Sequence, residues 1–184
     1  MDDQLRQLAA TFEAVRALSP DLARATTAMV ETLEAGGCIF VCGNGGSAAE
    51  GQHFVTELVG RYKHDRAALP SVWLGGDTGQ MTCIANDFSW NDVFARPLRA
   101  LAREGDLLLA LSTSGRSSNV VAALDVAGEL GLRSIALLGE PGNMQARATI
   151  PLTVGPFGTA RVQEAHLFLI HCLCDGIEAA FPAA

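Results

Sequence analysis

His53 and Glu57 stand four residues apart, which puts an imidazole and a carboxylate on one face of a helix. Such a pair can bind a divalent metal or move protons, although taken alone it is most often an exposed surface pair. Just upstream runs Gly43-Asn44-Gly45-Gly46-Ser47. Glycines let a backbone approach a ligand closely, and a helix opening after them offers free N–H groups and the positive end of a dipole. A second loop, Ser112-Thr113-Ser114-Gly115-Arg116-Ser117-Ser118-Asn119, is denser in hydroxyls than helix capping requires. It reads as a neutral, donor-rich cradle for a phosphate monoester.

A third set of candidates lies near the C-terminus: Gln163, Glu164, His166 and His171. On a straight helix Gln163 and His171 differ by about 80° and about 12 Å, so one helix does not easily bring both to one small metal. Either one of them stays outside the first shell, or two subunits share a site. His166 pairs with no motif and reads as packing or support. The string Gly43-x-Gly45-x-x-Ala48 also fits a dinucleotide fingerprint, but that unit needs an acidic residue roughly 20 residues on. The residue in that role, Asp77, comes well beyond that distance.

These residues need elements to hold them. Apolar spacing predicts a helix over 3–18 and another over 19–35, opened by Ser19 as N-cap with Pro20 and stopped by Gly36-Gly37. Short, nearly continuous apolar runs at 38–42, 71–74, 107–111, 134–138 and 150–154 read as strands buried on both faces, hence a parallel sheet. Helical stretches at 48–62, 90–103 and 119–130 separate most of them, and a last helix covers 160–180. Pro97 predicts a kink or a helix start. The expectation is one α/β domain over 1–184, with both loops at the carboxyl ends of strands, where ligands bind.

Bulk properties narrow the function. Apolar residues are 49% and charged residues 18%, which excludes disorder, and 184 residues suit one core. A net charge of −7 excludes a basic nucleic-acid footprint. Lys63 is the single lysine, so a phosphate would rely on amides, hydroxyls, arginine or that residue. Five cysteines without C-x-x-C spacing read as reduced thiols. With no leader-like N-terminus and no membrane-length apolar run, the expectation is a cytoplasmic protein that binds no membrane.

Taken in order, Cys42-Gly-Asn-Gly-Gly-Ser47, His53-Phe-Val-Thr-Glu57-Leu, Gly60-Arg61-Tyr62, Ala85-Asn86-Asp87-Phe88, Ser112-Thr-Ser-Gly115 and Gln163-Glu164 with His171 resemble the bacterial D-sedoheptulose-7-phosphate isomerases. The resemblance spans essentially the whole chain. It implies a sugar-isomerase (SIS) domain: a five-stranded parallel sheet flanked by helices in a flavodoxin-like three-layer sandwich. The N-terminal helical pair, residues 1–36, would serve oligomerisation. It further implies interconversion of sedoheptulose 7-phosphate with D-glycero-D-manno-heptose 7-phosphate for activated heptose synthesis. The implied assembly is a homotetramer with sites between subunits and one zinc per subunit.

By the same resemblance His53, Glu57, Gln163 and His171 are metal ligands. Asn44, Gly45, Gly46, Asn86, Asp87, Ser112, Thr113, Ser114, Ser117 and Gln163 bind substrate. Isomerisation through an enediolate needs a base and an acid, roles assigned to Glu57 and His171. Some members have an Asp three residues before the Gln, where this chain has Ala160, which leaves the proton relay open. The alternative is a non-catalytic SIS module, like a replication-initiator-associating protein that shares the hydroxyl loop and a Cys-Leu-Cys-Asp segment. That relative's pattern lacks counterparts of Glu57 and His171, which this chain keeps.

Overall fold

Alternate residues of each central strand go to opposite apolar layers, which is why the strands are apolar at nearly every position. Leu107, Leu109 and Leu111 pack on one side of the sheet and Leu108 and Ala110 on the other, all with no exposed surface. The computed structural model describes residues 1–181. Its elements are α1 (Asp2–Arg16), α2 (Ser19–Glu34), β1 (Ile39–Gly43), α3 (Gly46–Val59), β2 (Ser71–Trp73) and α4 (Thr78–Asp87). There follow α5 (Asp92–Leu101), β3 (Leu107–Ser112), α6 (Ser118–Glu129), β4 (Arg133–Leu138), β5 (Ile150–Thr153) and α7 (Thr159–Ala180).

The five strands are all parallel, in the order β2-β1-β3-β4-β5. Helices α2, α3 and α7 cover one face, and α4, α5 and α6 the other. This is the expected three-layer α/β sandwich. The chain leaves β1 toward β2 and returns to β3 on the opposite side, so a crevice opens between the ends of β1 and β3. Burying each central leucine contributes about 1.5–3 kcal/mol, and that rigid sheet fixes both loops at the crevice.

Several local expectations are corrected. Ser19 is the first residue of α2 rather than its cap: its Oγ donates to the Arg16 carbonyl, and Leu18 holds the cap position. Helix α3 starts two residues earlier than the apolar spacing suggests and ends at Val59. Pro97 lies inside α5, buried with Phe94 and Leu98, rather than opening it. Helix α4 was not anticipated. Asp77 accepts a hydrogen bond from the Gln80 amide (2.8 Å) and caps it. No helix among the described residues is long and apolar enough to cross a membrane.

Candidate active site

The two loops meet as the crevice requires. Asn44, after β1, and Asn119, in the first turn of α6, exchange side-chain amide hydrogen bonds of 2.8 and 2.9 Å. Asn119 is buried, and its Oδ1 also accepts from the Val120 amide. Beside this pair lies a cavity of about 200 Å³ lined by Asn44, Ser47, Ser112, Thr113, Ser117 and Gln163, with Leu111 and Thr159. Ser117 occupies the N-cap position of α6 without a capping bond, and its Oγ lies 3.2 Å from that of Ser112. Ser112 Oγ accepts from the Gly115 amide (3.1 Å), which folds the loop back on itself. Ser114 is exposed, and its Oγ accepts from the Arg116 amide.

Gly45 takes a positive φ of 57° to turn the chain into α3. Gly46 is needed for a different reason: a Cβ there would lie 2.2 Å from Gln163 Nε2. The Gln163 amide therefore packs on the N-terminus of α3. From that point α3 and α7 run side by side in the same direction. Glu50 faces His166, with Oε2 and Nδ1 3.9 Å apart, and His53 then faces His171.

His53 Nε2 and His171 Nε2 are 2.9 Å apart, and Glu57 Oε1 is 3.4 Å from His53 Nε2. The Tyr62 ring stacks on His171 at 5.9 Å between centroids, inclined by 24°. Two imidazole nitrogens this close repel unless a proton or a cation lies between them. Two imidazoles and a carboxylate are also donors that zinc accepts, and nitrogens on one tetrahedral zinc lie about 3.3 Å apart. The donor set fits the metal chemically. It is not a closed cage, since among the described residues no three His, Cys, Asp or Glu side chains are already arranged to hold an ion.

The predicted residues thus fall into three places. Asn44, Ser112, Thr113, Ser117 and Gln163 line the cavity, with Gly45 and Gly46 at its edge. His53, Glu57 and His171 form a second group further along α3 and α7. Asn86 and Asp87 are exposed at the end of α4, where the Asn86 amide donates to Asp87 Oδ1 (2.7 Å). Ser47, Asn119 and Tyr62 stand in motifs legible in the sequence but carried no individual role there, and Thr159 was missed. Asn119 closes the hydroxyl-rich loop in the sequence, but nothing in the spacing foretells Asn44 as its partner.

The SIS domain family model matches residues 4–139. The structure superimposes on phosphoheptose isomerase of Neisseria gonorrhoeae with a TM-score of 0.90 and 38% identity, over 97% of this chain and 96% of that one. The phosphoheptose isomerase of Halorhodospira halophila is 46% identical over 90% of this chain and 86% of its own. The chain belongs to the phosphoheptose isomerase family. Another member, from Geotalea daltonii, is 48% identical over 88% of this chain and 84% of its own. The SIS match stops before α7, whereas the structural likeness to the phosphoheptose isomerase extends through it. That likeness therefore includes the helix that carries Gln163 and His171.

Proposed function

We propose that the chain interconverts D-sedoheptulose 7-phosphate and D-glycero-D-manno-heptose 7-phosphate in the cytoplasm, as part of activated heptose synthesis. The observation that carries this reading is the cavity where the loops after β1 and β3 converge, in a chain of this family. Helices α3 and α6 both begin there, so free amides and the positive ends of two dipoles meet the hydroxyls of Ser112, Thr113 and Ser117. That suits a phosphate without requiring a lysine.

Glu57 takes a proton from C1 of the ketose and returns it to C2, while His171 gives a proton to the C2 oxygen and recovers one from the C1 hydroxyl. Tyr62 covers one face of His171 and limits how its ring turns. His53, Glu57 and His171 would hold a zinc ion, with Gln163 completing the set from another subunit. Bound there, the metal supplies Lewis-acid stabilisation of the developing oxyanion.

A homotetramer with shared sites is part of the proposal. From Gly46 to Glu57 a straight helix rises about 16 Å, more than an extended seven-carbon phosphate covers. Phosphate held at one cradle is thus better served by Glu57 and His171 of a neighbouring copy. Leu5, Leu167 and Phe168 on α1 and α7 are exposed apolar side chains that a neighbour would cover.

The test is conversion of sedoheptulose 7-phosphate by purified protein. Chelation is expected to abolish turnover and zinc to restore it. Glu57→Gln is expected to lower kcat about 10²–10⁴-fold with substrate still bound. Near-native kcat in that variant removes Glu57 from the base role, and no conversion by the native enzyme removes the reading.

A further inference from the structure

We infer that Arg66 is a positioning residue for Glu57 and Tyr62, which deepens the isomerase reading and rests on it. The Arg66 side chain is 2% exposed and is spent on backbone carbonyls. Nη2 donates to the Glu57 carbonyl (2.7 Å), and Nη1 donates to those of Leu58 and Ala67 (both 2.9 Å). Helix α3 ends at Val59, so the Glu57 and Leu58 carbonyls belong to its last turn and have no partner within the helix. The guanidinium satisfies the Glu57 carbonyl and shares that of Leu58 with the Leu69 amide (3.0 Å), at the negative end of the helix dipole. Its contact with Glu57 is to the main chain, so the carboxylate stays free to point at His53.

The charge of Arg66 is balanced by Glu178 of α7, whose Oε1 lies 3.9 Å from Arg66 Nε. Glu178 also accepts from the Lys63 amide and the His64 amide, each at 3.1 Å. Burial opposes its ionisation, but these amides hold its carboxyl below the usual range. The segment between α3 and β2 is therefore fastened at two points: Arg66 grips the last turn of α3, and Glu178 grips the amides after Tyr62. Tyr62, the residue stacked on His171, lies between the two fastenings. One buried ion pair sets the turn that carries Glu57 and the ring that limits His171.

The test compares native enzyme with Arg66→Met, which keeps the apolar stem, and Arg66→Lys, which keeps the charge but loses the fork. In folded Arg66→Met, kcat is expected to fall about 10- to 100-fold, the loss that a displacement of about 1 Å brings, with sugar-phosphate affinity by calorimetry nearly unchanged. Unchanged kcat per folded molecule, with only a lower melting temperature, overturns the proposal. If the methionine variant does not fold, the lysine variant decides by the same split between kcat and affinity. Imidazole NMR separates this inference from the isomerase reading, because it needs no turnover. In Arg66→Lys the His53 and His171 resonances are expected to move while that of His166, packed higher between α3 and α7, stays. If His53 and His171 stay as well, Arg66 positions nothing.

Discussion

Among single residues, Glu50 and His166 are the least conventional. His166 is fully buried with neither ring nitrogen in a hydrogen bond of good geometry, and Glu50 Oε2 is also without a partner. Burial pushes the Glu50 carboxyl up to about 7. Burial also pushes the His166 imidazole down to about 4, against an opposing pull from the Leu138 carbonyl. Near pH 5.5 the folded protein therefore holds both groups neutral. From about pH 4.5 to 7 the unfolded chain has released the Glu50 proton and the folded one has not, so this group lowers stability as pH rises. His166 acts in the opposite sense between about pH 4 and 6.5, where only the unfolded chain binds its proton. Glu50→Gln removes the first effect alone. Its melting temperature relative to native protein should climb from pH 4.5 to 7 and level off above. A difference that is flat with pH would mean that Glu50 is solvated like an ordinary carboxylate.

At the scale of elements, the parallel seam of α3 and α7 orders the site: Gln163 at Gly46, His166 at Glu50, His171 at His53. At its upper end the Gln163 amide occupies the place that a Gly46 side chain would take. In Gly46→Ala the new methyl meets the end of a flexible amide, so Gln163 swings aside and the helices stay packed. The expected outcome is a melting temperature within a few degrees of native and a kcat/KM lowered at least about tenfold, through kcat as well as KM, because the displaced amide would serve both substrate and metal. Unchanged kcat and KM would place Gln163 outside the site. Element legibility follows the same physics. Strands buried on both faces announce themselves by continuous apolar runs. Helix α4 is short and mostly exposed, with Ile84 its one buried residue, so it has almost no apolar stripe to read. The spacing of Asp77 and Gln80, a capping pattern, was its one legible signal.

For the whole molecule, the issue is whether one chain holds a complete site. Gln163→Ala and His171→Ala are each expected to be inactive. Mixed under conditions that let subunits exchange, some oligomers carry one intact site, and a two-chain site regains measurable activity. Confirmed exchange with no recovered activity would show that both residues serve from the same chain.

Local chemistry is what the sequence by itself determined: a Gly-rich turn, a hydroxyl-rich loop, a His–Glu pair at helical spacing and five apolar strands. These follow from backbone periodicity and from what each side chain can donate or accept, and both survive in isolation from the fold. Only the tertiary structure decided who meets whom. The 2-1-3-4-5 strand order brings Asn44 to Asn119, and the parallel course of α3 and α7 brings His53 to His171. The same packing buries Glu50, His166, Arg66 and Glu178. Such pairings join residues 75 to 118 positions apart, and they are set by how whole faces of helices and sheet bury their apolar area together, a quantity no local window contains.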